Sequence, residues 1–404
     1  MRRRVAVTGC GVVSAAGTEL SGFWGSLMRG ERHIRPLRHF SYPDLPDLMG
    51  AEVDLPPGDD LPAALEPSPH RDRCLQLTLA AARRAVADAA LDPALAERAG
   101  VVLGTTLGEE RQVGDLNERC AREGDLGIEA SFLGRSDNHR LAALVARAHG
   151  LGGPVMLNAS ACASGNAALA WAFDLIASGA ADAMVAGGAD VLTRSIYCGF
   201  HRMGALSKSV CRPFDRRRDG VSFGEGAALL VLEDLERARA RGARVYAELA
   251  GYGASNDAYH ITAPDPNGTG FARAMAHALE TTATSAGRVD YVSAHGTGTP
   301  YNDLGESRAM RAVFGERARR VPVSSIKSMI GHANGAASAI EAVACALAIQ
   351  HQAVPPTAGL DEPDPECDLD AVPGQGRAMP VDTVLSMAAG FGGFNVCVVL
   401  KRVS

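Results

Sequence analysis

Short apolar runs alternate along the chain with longer stretches rich in Ala, Leu and Arg. The short runs predict buried strands, at residues 4–8, 100–104, 182–187 and 227–232. The longer stretches have the spacing of helices, at residues 74–91 and 233–241. A segment from about residue 40 to residue 69 is rich in Pro and Asp and is predicted to be a surface excursion. The alternation as a whole predicts an α/β protein.

Two segments of the chain echo each other. In each of them a reactive side chain among small residues precedes an Ala-rich helix and then a strand. Cys162 stands before the helix predicted at 167–177, and His332 stands before the helix predicted at 336–349. If the segments belong to homologous halves, the N-termini of the two helices should lie side by side at a pseudo-twofold axis.

The length of 404 residues exceeds the size at which one hydrophobic core stops growing, so two packed halves are expected. We predict that the halves meet near residues 247–255. Residues 1–250 then form an N-terminal half that carries Cys162. Residues 251–404 form a C-terminal half that carries the candidate histidines and a candidate lysine.

Composition and charge exclude several classes of function. Apolar residues make up 47% of the chain, and the net charge of -6 argues against a nucleic-acid scaffold, which needs a basic surface. The nine cysteines stand singly, without zinc or disulfide spacing. This pattern predicts reduced thiols in a cytoplasmic protein and no bound metal. No apolar run is long enough to span a bilayer, so no membrane association is expected.

Cys162 lies at the predicted entry to its helix, between Ser and Ala neighbours. Small neighbours let a substrate approach the sulfur, and the N–H groups and dipole of a helix start favour the thiolate. A free thiol titrates at about 8.5, so this help would raise the nucleophilic fraction at neutral pH. Taken alone, the position fits an inert buried cysteine equally well.

His295 follows an apolar strand in the run AHGTGTP at 294–300. A histidine at the exit of a strand, among residues that leave the backbone accessible, can touch a bound substrate. The hydroxyls of Thr297 and Thr299 could hold an amide-bearing ligand such as a pantetheine arm. The alternative is a turn histidine that is hydrogen-bonded to its own loop.

Lys327 precedes His332 in a setting of small and apolar residues. A lysine in such a place needs a carboxylate partner, and Glu306 or Asp303 could supply one. The pair would orient the imidazole and keep it neutral enough to donate a hydrogen bond. A structural ion pair beside a satisfied core histidine explains the same pattern.

The run GFGGFN at 390–395 predicts a glycine-rich turn between two apolar strands. Its backbone N–H groups could form an oxyanion hole, which contributes a few kcal/mol in acyl transfer. An ordinary hairpin with glycine at positive φ is the alternative. The chain has no complete dinucleotide fingerprint, no Walker lysine motif and no GxSxG elbow.

Taken together and in this order, these motifs resemble those of the β-ketoacyl synthases, condensing enzymes of the thiolase-like superfamily. The motifs are SACASG around Cys162, AHGTGTP around His295, SSIKSMIGH up to His332, and GFGGFN. The runs VTGCGVVSAAG, VAGGAD, RPFDRRRDG and AYHITAP are also similar to that family, so the resemblance runs nearly end to end. It implies a thiolase-like α/β fold with two pseudo-symmetric βαβαβαββ halves in a five-layered αβαβα architecture.

The resemblance implies a β-ketoacyl-acyl carrier protein synthase, an acyltransferase that works by decarboxylative Claisen condensation. Cys162 would hold the acyl chain as a thioester. His295 and His332 would bind the malonyl thioester carbonyl and stabilise the enolate left when CO2 departs. The N–H groups of Cys162 and Phe391 would hold the oxyanion, and Phe391 would also act as a gate. The substrates would arrive on acyl carrier protein, and no metal or redox cofactor is implied.

The resemblance also implies supporting residues. Lys327 and Glu306 match the pair that positions the histidines. The positions that match substrate or pantetheine contacts are Thr262, Thr297, Thr299, Leu107, Phe132 and Phe394. The candidates for a basic patch that receives the acidic carrier protein are Arg71, Arg73, Arg202 and Lys208. Each of these four could equally be an ordinary surface charge.

Within the family, the chain is most similar to the catalytic ketosynthase subunit of type II polyketide synthases. The features that carry this likeness are Asn302-Asp303, SSIKSM, PECDLD and Phe394. It implies a heterodimer with a chain-length factor that lacks the cysteine. The main alternative is a homodimeric fatty-acid elongating β-ketoacyl synthase II.

Two readings come from other classes of protein: a thiolase, which prefers a second cysteine, and a non-catalytic chain-length-factor-like subunit, which lacks the nucleophile. The chain also departs from the family pattern at residues 108–111 and 132–139, where relatives set chain length. The starter unit, the number of extensions and the product therefore stay open.

Overall fold

The computed structural model describes residues 2–38, 47–59, 72–124, 132 and 136–403. The strands, in chain order, are β1 Val5–Ser14, β2 Arg35–Pro36, β3 Met49–Ala51, β4 Ala99–Gly104, β5 Val155–Asn158, β6 Ala183–Asp190, β7 Phe223–Gly224, β8 Gly226–Asp234, β9 Ala247–Asn256, β10 Tyr291–Ser293, β11 Val323–Ser324, β12 Ala353–Val354, β13 Arg377–Ala378, β14 Thr383–Gly390 and β15 Phe394–Lys401. The helices are α1 Leu20–Met28, α2 Arg73–Asp88, α3 Pro93–Ala96, α4 Glu110–Glu123, α5 His139–His149, α6 Ser164–Ala177, α7 Arg194–Arg202, α8 Leu235–Ala240, α9 Thr269–Thr281, α10 Pro300–Phe314, α11 Lys327–Ile330 and α12 Ala337–His351.

Ten strands form one hydrogen-bonded sheet, in the order β11-β10-β14-β15-β9-β1-β8-β6-β4-β5. Numbered within its own half of the chain, each set of five strands follows the same order, namely third, second, fourth, fifth and first. The first strands of the two sets, β1 and β9, pair antiparallel and join the halves. The repeated order is that of two pseudo-symmetric halves. The boundary predicted after residue 250 falls inside β9 and stays a prediction.

The helices form three layers, and the two five-stranded sets of the sheet lie between them. On one outer face α2 and α5 pack against strands of the first half, including β1, β4 and β8. On the other outer face α9 packs against β9 and β15, and α10 packs beside α9. Between them, α6 and α12 contact strands of both halves and each other. The five αβαβα layers expected from the sequence are therefore present.

The central helix α12 is buried on every side, from Ala337 to Ile349. A helix that is apolar all round suits the middle of a large protein, whereas α2 is amphipathic and suits an outer layer. Among the described residues, no helix combines the length and the apolar character that crossing a bilayer requires.

The start of α6 lies against the start of α12. A Cβ placed on Gly165 would be only 2.6 Å from the backbone nitrogen of Ala339. The backbone N–H of Asn166 donates to the hydroxyl of Ser338 at 2.9 Å. The side-by-side helix N-termini predicted from the sequence echo are confirmed.

The first strand is longer than predicted. The sequence pattern predicts a strand at residues 4–8, but β1 continues through Gly9 and Gly11 to Ser14. A Cβ on Gly9 would lie 2.5 Å from the carbonyl oxygen of Ala85, and one on Gly11 would lie 2.0 Å from that of Ala81. The glycines therefore allow α2 to approach the strand closely, which is a common reason for glycine inside a strand.

The Pro- and Asp-rich segment predicted as a surface excursion lies partly outside the described residues, at 39–46 and 60–71. Its described part contains β3, which pairs with β2 and β7 in a small three-stranded sheet. The backbone of β7 forms a bridge to His332, so this small sheet supports the candidate site.

Candidate active site

Cys162 lies in a short 3-10 turn, Ala161–Ala163, between β5 and α6. Ala161 has a φ of +48°, which brings the chain sharply into the helix. Two further turns contact this one, Asn334–Ala336 before α12 and Phe391–Gly393 between β14 and β15. Residues from both halves of the chain therefore meet at the sulfur.

Cys162, His295 and His332 line one cavity of about 350 Å³. The lining also includes Tyr301 and Met203, which are 72% and 44% exposed, so the cavity reaches the surface. The three side chains that the sequence proposed as reacting groups are therefore brought together beside an open channel. Within the described ranges, no three His, Cys, Asp or Glu side chains gather as a metal-binding group.

The two imidazole rings meet edge to face, with centroids 5.4 Å apart and planes at 85°. Burial lowers the pKa of His295 well below 6.5, and the charge of Lys327 and the second ring lower it further. Burial and Lys327 have the same effect on the pKa of His332. Both rings are therefore neutral at physiological pH, the state in which each can donate one hydrogen bond and accept another.

These lowered pKa values predict an unusual pH profile. A neutral imidazole becomes charged only when the pH falls through its pKa, and burial has moved that point well below 6.5 for both rings. We expect the rate of malonyl-thioester decarboxylation to stay level as the pH falls from 8 through about 6.5, the ordinary histidine value. Stopped assays across this range check the prediction. A rate that halves near pH 6.5 would show rings with ordinary pKa values.

The expectation that the helix start favours the Cys162 thiolate is not met. Burial raises the pKa of its thiol to about 12, although Lys327 opposes the shift. Cys162 is only 9% exposed, so desolvation of the thiolate outweighs the help expected from the helix start. The free protein therefore holds a thiol, which must lose its proton as it attacks.

The predicted ion pair between Lys327 and Glu306 is also wrong. Lys327 donates instead to Glu341 in α12, and both side chains are 1% exposed. Sequence reasoning missed Glu341, although a lone carboxylate inside an otherwise apolar, Ala-rich helix was a usable signal. Burial raises the pKa of Glu341, and the positive charge of Lys327 opposes that rise.

Glu306 has a different task in the structure. Its carboxylate accepts from the backbone N–H groups of His295 and Gly296, at 2.7 and 2.8 Å. Burial raises the pKa of Glu306 to about 7, and these two hydrogen bonds oppose the rise. Asp303, the other partner considered for Lys327, accepts from the backbone N–H of Phe214 at 2.8 Å. Both carboxylates thus shape the loop that presents His295.

The glycine-rich turn lies directly against Cys162. A Cβ on Gly390 would be 3.0 Å from the backbone nitrogen of Cys162, so a larger residue here would crowd the Cys162 turn. Phe391 lines the cavity and stacks on Phe200, with ring centroids 5.1 Å apart. Phe200 in turn packs edge to face on Phe223, whose ring stacks 6.1 Å from that of His332. Of these rings, sequence reasoning identified Phe391 and His332 but neither Phe200 nor Phe223.

Three of the predicted substrate-contact residues, Thr262, Thr297 and Thr299, line the same cavity. The hydroxyls of Thr297 and Thr299 lie 2.9 Å apart. The other three, Leu107, Phe132 and Phe394, do not line it. Phe394 is 42% exposed, because successive residues of β15 face opposite sides and the neighbouring Asn395 faces the cavity.

The predicted carrier-protein patch is only partly supported by geometry. Arg73 pairs with the buried carboxylate of Glu225 at 2.6 Å and its side chain is 19% exposed, so its docking role stays a prediction. Arg71 lies outside the described residues. Arg202 and Lys208 are exposed on either side of Met203 and Ala205, which line the cavity.

Two family models match the chain. The model described as the N-terminal domain of β-ketoacyl synthase matches residues 2–238, and the one described as the C-terminal domain matches residues 246–361.

Individual relatives match over almost their whole length. A 3-oxoacyl-acyl-carrier-protein synthase 2 from Synechocystis is 40% identical over 414 residues, covering 99% of this chain and 98% of the relative. The ketoacyl synthase alpha subunit of the tetracenomycin polyketide synthase from Streptomyces glaucescens is 39% identical over 417 residues, covering 99% of this chain and 97% of that subunit. The solved structure of the ishigamide ketosynthase/chain length factor has a TM-score of 0.94 and 39% identity, and covers 100% of both chains.

Proposed function

Since this chain belongs to the β-ketoacyl synthase family, we propose that its cavity joins malonyl-acyl carrier protein to an acyl group held on Cys162, by decarboxylative Claisen condensation. The observation that carries the proposal is the convergence of one thiol and two neutral imidazoles on a single open cavity. These groups carry out two successive tasks.

The first task is acyl transfer. The sulfur of Cys162 attacks the thioester carbonyl of an acyl-carrier protein, and the thiol proton passes to the departing pantetheine sulfur. Because the resting thiol is protonated, the neutral imidazole of His295 or His332 can hold that proton during the transfer. The N–H groups of Cys162 and Phe391 stabilise the oxyanion, a role supported by the close approach of Gly390.

The second task is decarboxylation and condensation. Malonyl-carrier protein enters the cavity, where Thr297 and Thr299 hold its pantetheine arm. His295 and His332 donate hydrogen bonds to the thioester oxygen, so that the electron pair of the breaking C–CO2 bond is stabilised as an enolate. The enolate carbon attacks the acyl carbonyl on Cys162 and expels the Cys162 thiolate, which takes a proton from water and returns to the resting thiol. The bond lost with CO2 supplies the electrons for the new C–C bond, so we propose that the reaction needs no metal or redox cofactor.

Substituting His332 with alanine tests this assignment. The change removes one of two enolate donors, and loss of one such donor costs about a hundred- to a thousandfold in rate. We therefore expect the rate of CO2 release from malonyl-carrier protein to fall by that factor in His332→Ala. His277→Ala, on the exposed face of α9 and outside the cavity, is the matched control and should react normally. Undiminished CO2 release by His332→Ala would contradict the proposal.

We further propose that the chain acts in polyketide synthesis as the catalytic partner of a chain-length factor, by its similarity to the ishigamide and tetracenomycin proteins. The edge strand β5 supports a subunit interface, because its residues Val155, Met156 and Leu157 are apolar and only half-buried. We place the protein in the cytoplasm, since all of its cysteines are free. Arg202 and Lys208 are proposed to receive the carrier protein.

A second candidate function, fatty-acid elongation by a homodimer, is favoured by the comparable identity to the Synechocystis synthase. A chain that purifies alone as a dimer and extends saturated acyl groups supports elongation. A chain that is active only when co-expressed with a cysteine-free partner supports the polyketide function.

A further inference from the structure

Asp190 lies at the end of β6 and is 0% exposed. Its carboxylate accepts five hydrogen bonds, from the hydroxyl of Thr105 and from the backbone N–H groups of Thr106, Leu107, Gly108 and Gly335, at 2.6–3.0 Å. Among the described residues, no lysine or arginine forms an ion pair with it. A carboxylate that is buried without a cation is costly to keep, so its presence needs an explanation.

The surroundings of Asp190 accommodate the ionised carboxylate. Burial raises the pKa of Asp190, and the hydrogen bonds from the loop at 105–108 oppose that rise. A protonated carboxyl group would have to donate its own hydrogen, whereas the four backbone N–H groups around it can only donate. The carboxylate therefore keeps its negative charge in the core of the protein.

The carboxylate joins two segments of backbone. One of its oxygens accepts both from Thr106, in the loop after β4, and from Gly335, in the turn before α12, at 2.7 and 2.6 Å. A Cβ on Gly335 would be 2.7 Å from this oxygen and equally close to the backbone nitrogen of Thr106. The loop and the turn are therefore packed directly against the carboxylate.

Both segments contact the backbone around Cys162. The turn before α12 packs on the Cys162 turn. The loop after β4 is connected through Ser164, a buried residue that directly follows the Cys162 turn. The Ser164 hydroxyl accepts from the backbone N–H of Ser160 at 2.8 Å. It lies 2.6 and 3.2 Å from the carbonyl oxygens of Ala161 and Thr105, to either of which it can donate. The position of the sulfur therefore depends on the two segments that the carboxylate holds.

The charge of Asp190 also acts on the sulfur. Burial raises the pKa of Cys162, and the carboxylates of Asp190 and Glu341 add to that rise, whereas Lys327 opposes it. The two imidazoles beside the sulfur are neutral. Asp257 is a further charged group in the cavity lining, and the test leaves it unchanged. Asp190 thus counteracts the lysine at the nucleophile.

We propose that Asp190 is a positioning residue for the Cys162 nucleophile: its carboxylate fixes the two segments that hold the Cys162 turn, and its charge keeps the sulfur in the thiol form. This inference rests on the proposed function, because it gives the carboxylate a task in the reaction of Cys162. A fixed turn keeps the sulfur and the oxyanion-binding N–H aligned with a bound thioester. A thiol resists alkylating agents and oxidants that would attack a thiolate.

Two variants separate this role from a purely structural one. Asp190→Asn keeps the shape of the side chain, removes its charge and turns an NH2 group toward backbone donors. Ser164→Ala keeps the charge and removes only the hydroxyl that connects the loop to the Cys162 turn. Asp290→Asn is the matched control, because half-buried Asp290 accepts two backbone hydrogen bonds at 2.9 Å and lies outside the cavity.

The test measures two rates by peptide mass: acylation of Cys162 by butyryl-carrier protein, and alkylation of Cys162 by iodoacetamide at pH 8. In Asp190→Asn we expect acylation to slow about a hundredfold, the effect of misplacing a reacting atom by about 1 Å. We expect its alkylation to become about tenfold faster, the gain in thiolate when the pKa falls by about one. In Ser164→Ala we expect acylation to slow about tenfold, the effect of one lost hydrogen bond, with alkylation unchanged. Asp290→Asn should keep both wild-type rates.

Wild-type rates in Asp190→Asn overturn the inference, and so does a fall of both rates together, which indicates only a damaged fold. Alkylation that rises equally in Asp190→Asn and Ser164→Ala overturns it as well, because a loosened turn then explains the gain without the charge. If Asp190→Asn does not fold, Ser164→Ala decides: slower acylation with unchanged alkylation supports the inference, and wild-type acylation overturns it. The proposed function fails separately, when wild-type protein is alkylated at Cys162 but is not acylated and releases no CO2 from malonyl-carrier protein.

Discussion

Replacing Cys162 with alanine should abolish condensation while the protein stays folded. The side chain loses one sulfur atom at the wall of an open cavity, between two other alanines, so little packing is lost. Condensation requires the acyl thioester on that sulfur, and removal of a covalent nucleophile costs more than about a thousandfold in rate. The measurement is β-ketoacyl product formed from acyl- and malonyl-carrier proteins, together with the mass of the intact protein, which should show no acyl adduct.

The matched control is Cys120→Ala. Cys120 lies in α4, is half-buried and does not line the cavity, so this variant should be acylated and condense at the wild-type rate. If the Cys162→Ala protein still gains an acyl group and forms product, another residue is the nucleophile and the assignment is wrong.

Much of the site could be predicted because its chemistry is local in the sequence. Cys162, His295 and His332 each stand in a short run of small residues at the start of a helix or the end of a strand. Backbone access at such points is decided by neighbours in the chain, so the motif alone indicates a reactive position. The strand and helix pattern was informative for the same reason, and α2 begins within a residue of the predicted start.

Contacts between residues that lie far apart in the chain could not be predicted in this way. Lys327 needs a carboxylate partner, and the sequence alone does not distinguish Glu306 from Glu341. The packing of α12 against the site is what brings Glu341 to Lys327. The pKa of Cys162 is a similar case, since the sequence shows a helix start but not the burial that outweighs it. Gly9 and Gly11 lie beyond the predicted end of the first strand, because the approach of α2 that explains these glycines is a tertiary contact.

Removing the positive charge of Lys327 should damage both stability and catalysis. In Lys327→Met the carboxylate of Glu341 stays 1% exposed without its partner, and its second oxygen already lacks a hydrogen bond among the described residues. Breaking a buried pair from one side costs about 3–5 kcal/mol in the free energy of unfolding, which urea denaturation measures. Arg402→Met, which breaks an exposed pair with Asp382, should cost less than about 1 kcal/mol.

The double variant Lys327→Met/Glu341→Leu separates the structural role of the pair from its catalytic role. An apolar pair of similar volume often restores the stability of a buried ion pair, so we expect the unfolding free energy to recover. Decarboxylation should not recover at low pH, because the Lys327 charge helps to hold the pKa of His295 and His332 down. Without that charge both pKa values rise, so the rings become protonated at a higher pH. The rate then begins to fall at a higher pH than in the wild-type protein. A double variant that regains stability and keeps the wild-type profile would show that the pair only supports the fold.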